Sequence, residues 1–218
     1  MRNRTRLGMV QAQVLGAALL LVLLAALLPL PTAAQAPAPA AGAAAQPGTF
    51  KVDPVHSSVA FTIRHFVSEV EGRFKDFAGT VKYDPQHPAD SSVQFTVQAA
   101  SIDTDNEARD KDLRSENFFD VQKYPTLTFT STKVTPKGDN AFDVTGNLSI
   151  HGVTSPVLTD TTYYGLREWN GTRVGFSATT TLHRQDFTLN YNQMASRGIA
   201  VVGSTIEVHL DVQAVLER

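Results

Sequence analysis

Along most of its length the chain alternates apolar and polar residues with a period of two, the repeat of a β-strand that buries one face. From Ser57, SSVAFTIRH sets Val59, Phe61 and Ile63 on one side and Ser58, Thr62 and Arg64 on the other. SSVQFTVQ repeats the pattern with Val93, Phe95 and Val97, TLTFTST with Leu127 and Phe129, and AFDVTGNLSI with Phe142, Val144, Leu148 and Ile150. RVGFSATTTL carries Val174, Phe176, Ala178 and Leu182, and STIEVHLDVQAVL has the longest set, Ile206, Val208, Leu210, Val212, Ala214 and Leu216. Turn signals separate these segments: YDPQHPAD, TPKGDN, HGVTSP and EWNGT. The pattern predicts an all-β, antiparallel protein whose polar face meets water. An open sheet would leave its apolar face bare, whereas closure into a barrel covers that face and removes the sheet edges together. A two-sheet sandwich is the competing solution; the length of several segments favours the barrel.

One stretch breaks the alternation. In RDKDLRSENFFDVQKYP, Arg109 to Pro125, charges crowd ahead of two adjacent phenylalanines. Thr104-Asp105-Asn106-Glu107 fits a capping box with Thr104 as N-cap, which predicts a short helical connection around 105–117. Glu107 with Lys111, and Asp110 with Arg114, then fall at i,i+4 spacing on an exposed face. Leu113, Phe118 and Phe119 are left to anchor the helix on the sheet, and Pro125 opens the next strand.

The ends narrow the setting. Arg2, Arg4 and Arg6 precede an apolar run from Val14 to Leu28 and the small-residue site Ala34-Gln35-Ala36, the layout of a secretory signal peptide over 1–36; an uncleaved membrane anchor is the alternative. A Pro/Ala-rich linker over 37–48 is too poor in bulky apolar residues to fold. The remainder, 49–218, is one domain long enough to bury a core without disulfides, and the chain has no cysteine. Periplasmic or secreted localisation is expected. Removing the three leader arginines leaves 16 of 19 basic residues against 21 acidic ones, a charge of about −5. With basic residues scattered singly, nucleic acid is an unsuitable partner.

Chemistry is sparse. The chain lacks G-x-S-x-G, H-E-x-x-H, a glycine-rich phosphate loop and a cysteine nucleophile, so no enzyme activity and no catalytic residue are predicted. His56, His65, His151 and His183 lie near strand ends beside Asp53 and Asp186, but no pair has a recognisable ligand spacing, and neither a metal nor a cofactor is expected. A structural, hydrogen-bonding role suits these histidines better.

The order of several short motifs resembles the YceI family of polyisoprenoid-binding proteins. Its central signature is matched by Arg109, Asp110 and Leu113, by Phe118-Phe119-Asp120, and by Tyr124, Pro125 and Phe129. The opening strand, D-x-x-H-S with a later histidine, is matched by Asp53, His56, Ser57 and His65. Further matches are EGRFKDFAG, GNLSIHGVT with His151, and LHRQDF with Arg184 and Asp186; the glycine often found after that phenylalanine is Thr188 here. The resemblance spans nearly the whole of 49–218. It implies an extended, lipocalin-like barrel of about eight strands with an apolar interior that holds a long isoprenoid or similar lipid, an isoprenoid quinone among the variants. The lining would then include Val59, Phe61, Ile63, Phe95, Val97, Phe129, Phe142, Val144, Leu148 and Phe176, while Asp53, His56, His65, Arg109, Asp110, Asp120, His151, Arg184 and Asp186 would be structural. A barrel of this size is either filled by side chains or holds one ligand. Large inward candidates mix with small ones (Ala60 or Ala178, Gly146, Gly175), so both outcomes stay open. A solid barrel would suit an interaction module, and the histidines a periplasmic metal or redox accessory. Transient membrane contact and a homodimer complete the expected partners.

Overall fold

The alternating segments form strands in this computed structural model, which describes residues 47–191 and 201–217. The expected signal peptide and all but the last residues of the expected linker lie outside the described residues; Gly48, placed in that linker, opens the first strand. The strands are β1 (Gly48–Val52), β2 (Ser58–His65), β3 (Ser68–Phe74), β4 (Phe77–Tyr83), β5 (Ser92–Gln98), β6 (Ile102–Asp103), β7 (Thr126–Gly138), β8 (Ala141–Ile150), β9 (Val153–Glu168), β10 (Thr172–His183) and β11 (Val202–Leu216). One helix, α1 (Glu107–Arg114), lies in the β6–β7 connection.

Antiparallel pairing runs β1-β4-β5-β7-β8-β9-β10-β11, and β1 pairs again with β11, closing a barrel of eight strands. The remaining short strands continue barrel strands past a break. β1 takes Ala214 to Leu216 of β11, and β2 takes the segment from Val202 to Asp211 along the same edge. β3 pairs with β2 as β4 pairs with β1, and β6 pairs with β3 as β5 pairs with β4. The chain therefore winds round as a meander whose eight-strand circuit is closed, while past the breaks β6 covers only Arg73 and Phe74 of β3.

The first break has a local cause. Pro54 has no N–H for the ladder, and the Asp53 carboxylate accepts from Val55 N at 3.1 Å, starting a single turn over Pro54–His56. Ser57 then rejoins β11, its hydroxyl donating to Gln213 O and accepting from Gln213 N.

Hairpins define two ends. At one end the turns 84–91, 139–140 and 169–171 surround a dense cluster of Phe50, Val81, Tyr83, Val174 and Ala214, with Tyr163, Phe176 and Leu216 packed on it. Phe50 and Val174 are 1 % exposed and Ala214 is fully buried. At the other end lie α1, the β2–β3 turn, the His151–Gly152 turn and the turn Arg184–Phe187 that follows β10. We call the first end the floor and the second the rim.

Helix α1 departs from expectation in its detail. Its N-cap is Asn106, whose side chain accepts from Arg109 N at 3.0 Å, so Thr104 is not the cap and Glu107 opens the helix. Thr104 is buried and engaged elsewhere: its N–H and hydroxyl both donate to Asp110 Oδ1, at 2.9 and 2.6 Å. Asp110 is 5 % exposed, so it belongs to no wet face. Its expected partner Arg114 instead donates to the carbonyls of Ala100 and Ile102. Leu113 and Phe119 pack on the core as expected.

Candidate functional site

Between floor and rim the barrel is hollow. Along β9 the inward positions Val153, Ser155, Val157, Thr159, Thr161 and Tyr163 are half-buried, and the outward ones are exposed. In a solid core the inward set would be fully buried. Val157, Thr159 and Thr161 of this set line a cavity of about 400 Å³, in the range of pockets that hold an organic ligand.

The cavity wall takes in Val59, Phe61 and Ile63 from β2, Phe95 and Val97 from β5, Phe129 from β7, Phe142, Val144 and Leu148 from β8, and Phe176 from β10. Glycines make the room. A Cβ added at Gly72 would sit 2.3 Å from the Phe61 ring, one at Gly79 2.5 Å from Phe95, and one at Gly146 2.4 Å from Phe129. Each ring lies down over a bare stretch of the next strand instead of standing into the lumen. Ala178 adds a further small wall position. Gly175, in contrast, faces outward against Tyr164, at an irregularity in the β9–β10 register.

Sequence reasoning left out part of the wall. Thr159 and Thr161 of β9, Thr180 of β10, and Ile206, Val208, Leu210 and Val212 of β11 also line the cavity. The threonines are weak apolar markers, yet their hydroxyls turn to the wall: Thr159 Oγ1 donates to Val144 O and Thr180 Oγ1 to Leu158 O. The detectable signal was the period-two spacing of Val153, Val157, Thr159, Thr161 and Tyr163.

Aromatic rings pack together at the floor. Tyr83 lies 5.0 Å from Tyr163 and 5.4 Å from Phe176, centroid to centroid, and Tyr163 lies 5.5 Å from Phe176. Burial there pushes the Tyr83 phenol well above its ordinary range, and Tyr163 adds to the effect. Towards the rim the lining changes character, taking in His65, Arg109, Asp112, Phe118 and Tyr191. This is the polar mouth.

Two family-motif arginines reach the mouth from opposite anchors. Arg109 donates through Nε to Thr104 Oγ1 and through a terminal nitrogen to Thr104 O, both at 2.7 Å, so Arg109 and Asp110 clasp Thr104 between them. Arg184, 4 % exposed, donates to Gly203 O at 2.8 Å and to Leu189 O. Its burial draws the guanidinium below its ordinary range. Asp186 stands exposed in the same turn.

The other motif residues sit at junctions outside the lumen. Asp53 Oδ2 accepts from His56 Nδ1 and from Arg173, both at 2.9 Å, which ties the β1–β2 break to β10. The His56 bond is the main reason its carboxyl is held down to about 2, with Arg173 helping and partial burial opposing. His151 has φ of 51° in the β8–β9 turn. Its Nδ1 lies 2.8 Å from Thr188 Oγ1, and its ring meets Tyr124 edge-on at 4.5 Å. Tyr124 also packs so closely on Gly152 that a Cβ there would sit 2.6 Å from the ring. Thr188 has φ of 59°, a conformation that accounts for glycine being the commoner choice. Asp120, at φ 44°, turns the chain by accepting from Lys123 N and Tyr124 N. Among the described residues no group of three His, Cys, Asp or Glu is placed to share a metal.

Known proteins agree with this architecture. Residues 50–214 match the YceI-like domain. A UPF0312 protein of Vibrio cholerae is 38% identical over 165 residues, 73% of this chain and 82% of that protein. One of Pseudomonas putida is 36% identical over 179 residues, 80% and 90% of the respective chains. Among solved structures, Burkholderia cenocepacia BcnA superposes with a TM-score of 0.66 at 28% identity, covering 75% of this chain and 99% of that one. A polyisoprenoid binding domain from Saccharophagus degradans, at 16% identity and TM-score 0.60 over 77% of this chain and 98% of its own, shares the fold. With the match running from β1 to β11, the chain belongs to the YceI-like family.

Proposed function

We propose that this protein is an exported, non-enzymatic carrier that holds one long apolar chain, of the polyisoprenoid class, in the barrel lumen. The observation that carries the reading is the half-exposed state of inward apolar residues around a cavity of about 400 Å³. Apolar surface wetted inside a closed barrel gains roughly 25 cal/mol per Å² when a hydrocarbon covers it. Affinity then grows with chain length until the lumen is full, and the headgroup stays at the mouth. The Saccharophagus domain of the same fold is described as polyisoprenoid binding, and the signal-like segment over 1–36 supports export. Wall hydroxyls that bond to backbone carbonyls suit a container better than a reaction site.

The test is native mass spectrometry of the chain recovered from the exported fraction, followed by organic extraction. A stoichiometric adduct with the mass of a prenyl chain supports the reading. A bare polypeptide that also fails to take up added prenyl alcohols removes it. Ala178→Phe, which fills the lumen from the wall, should weaken uptake by at least about tenfold and leave the fold intact.

A further inference from the structure

The β2–β3 turn is built against the usual chemistry of a two-residue hairpin. His65 pairs with Ser68, so Phe66 and Val67 alone make the turn, and Phe66 has φ of 52°. Positions of that kind normally go to glycine, asparagine or aspartate, because a bulky side chain there strains the backbone. The turn is also held firmly. Phe66 N donates to Val201 O at 2.7 Å, and Arg64 Nε donates to Phe66 O at 3.2 Å. Its side chains nevertheless stand in solvent, Phe66 44 % and Val67 77 % exposed. The chain thus accepts strain to fix two apolar side chains in water.

Their location gives the arrangement a purpose. His65 just before the turn and Val70 just after it line the cavity, as do Val201, to which the turn is bonded, and Val202. The exposed pair therefore projects from the lip of the mouth. Charge does not select the partner, since Arg64 faces Glu69 across the hairpin and the chain as a whole is acidic. A hydrocarbon surface needs no charge complement.

We propose that Phe66 and Val67 form a stiff wedge that enters the outer edge of a lipid bilayer and seats the cavity mouth on it. The inference rests on the carrier reading, because a polyprenyl chain in an aqueous compartment is drawn from a bilayer. With only two residues entering, attachment is brief, as loading and departure require.

The chain's single tryptophan, Trp169, lies in the β9–β10 turn at the floor and reports on the opposite end. Vesicles of phosphatidylcholine, part of it brominated in the acyl chains, should leave wild-type Trp169 emission unchanged and quench a tryptophan at position 66 in the Phe66→Trp, Trp169→Phe variant. An unquenched residue 66 overturns the wedge, as does quenching confined to Trp169. A second pair of measurements uses Phe66→Gly with Val67→Ser, which relieves the positive φ and so keeps the fold. Uptake of dansyl-labelled geranylgeraniol from those vesicles should slow by about tenfold or more, with uptake from ethanol dispersion unchanged. Equal slowing of both processes, or slowing of neither, overturns the wedge. Failure of the wild type to take up the dispersed probe overturns the carrier reading instead, and the quenching result still decides the turn.

Discussion

Asp53 concentrates more bonds than its place in a turn would suggest. Its carboxylate starts the break between β1 and β2, orients His56 and pairs with Arg173 across to β10. A carboxyl held near 2 when folded, against about 3.9 unfolded, stabilises the fold fully above pH 4. That contribution fades as pH falls from about 4 to about 2, since the unfolded chain takes up the proton first. Asp53→Asn should therefore be less stable than wild type in urea at pH 6, and the gap should close between pH 4 and pH 2. A gap that stays constant down to pH 2 would show that the ion pair contributes nothing. Gly146 makes a separate claim. Alanine there drives its Cβ into the Phe129 ring and against Thr130 O, at 2.4 and 2.7 Å, and should cost about 1–3 kcal/mol while tilting the ring into the lumen. Urea unfolding and prenyl alcohol uptake check both halves. At this scale the alternation of Val59, Phe61 and Ile63 was enough to identify wall residues. The tie from Asp53 to Arg173 was not legible, because the two lie 120 positions apart in the chain.

Among the elements, α1 shows how a local reading goes astray. Thr104 to Glu107 has the composition of a capping box, and in isolation it would cap. Here the tertiary contact wins: Thr104 is drawn inward onto Asp110, and Asn106 takes over the capping. Asn106→Ala should cost about 1 kcal/mol, the usual worth of an N-cap. Asp110→Ala strands the buried amide and hydroxyl of Thr104 and should cost about 1–3 kcal/mol. If chemical denaturation ranks the two in the opposite order, the Thr104 clasp is not what seats the helix. β9 was harder to see for another reason. Its inward face uses threonine and serine where other strands use valine and phenylalanine, so its apolar signal is faint, although it is the longest strand. The breaks in β1–β2 and β5–β6 likewise cut barrel strands into pieces whose continuity shows only once the partner strands are in place.

For the whole molecule, period-two patterning implied one covered face but could not separate a sandwich from a barrel, because both bury alternate residues. Closure depends on Phe50 to Val52 of β1 meeting Ala214 to Leu216 of β11, a pairing between the two extremities of the domain. Hollowness was no more legible, since it depends on rings lying over glycines one strand away. With Tyr83, Tyr163 and Phe176 packed together at the floor and the polar lining at the rim, the proposed mouth lies at the rim. Under the proposed function a chain must enter and leave through the same opening, so a donor and an acceptor cannot be served together. Transfer should then follow a two-stroke cycle in which release from one surface precedes contact with the next. The barrel would be a ferry and not a bridge, and raising the acceptor concentration could never hurry a departure from the donor.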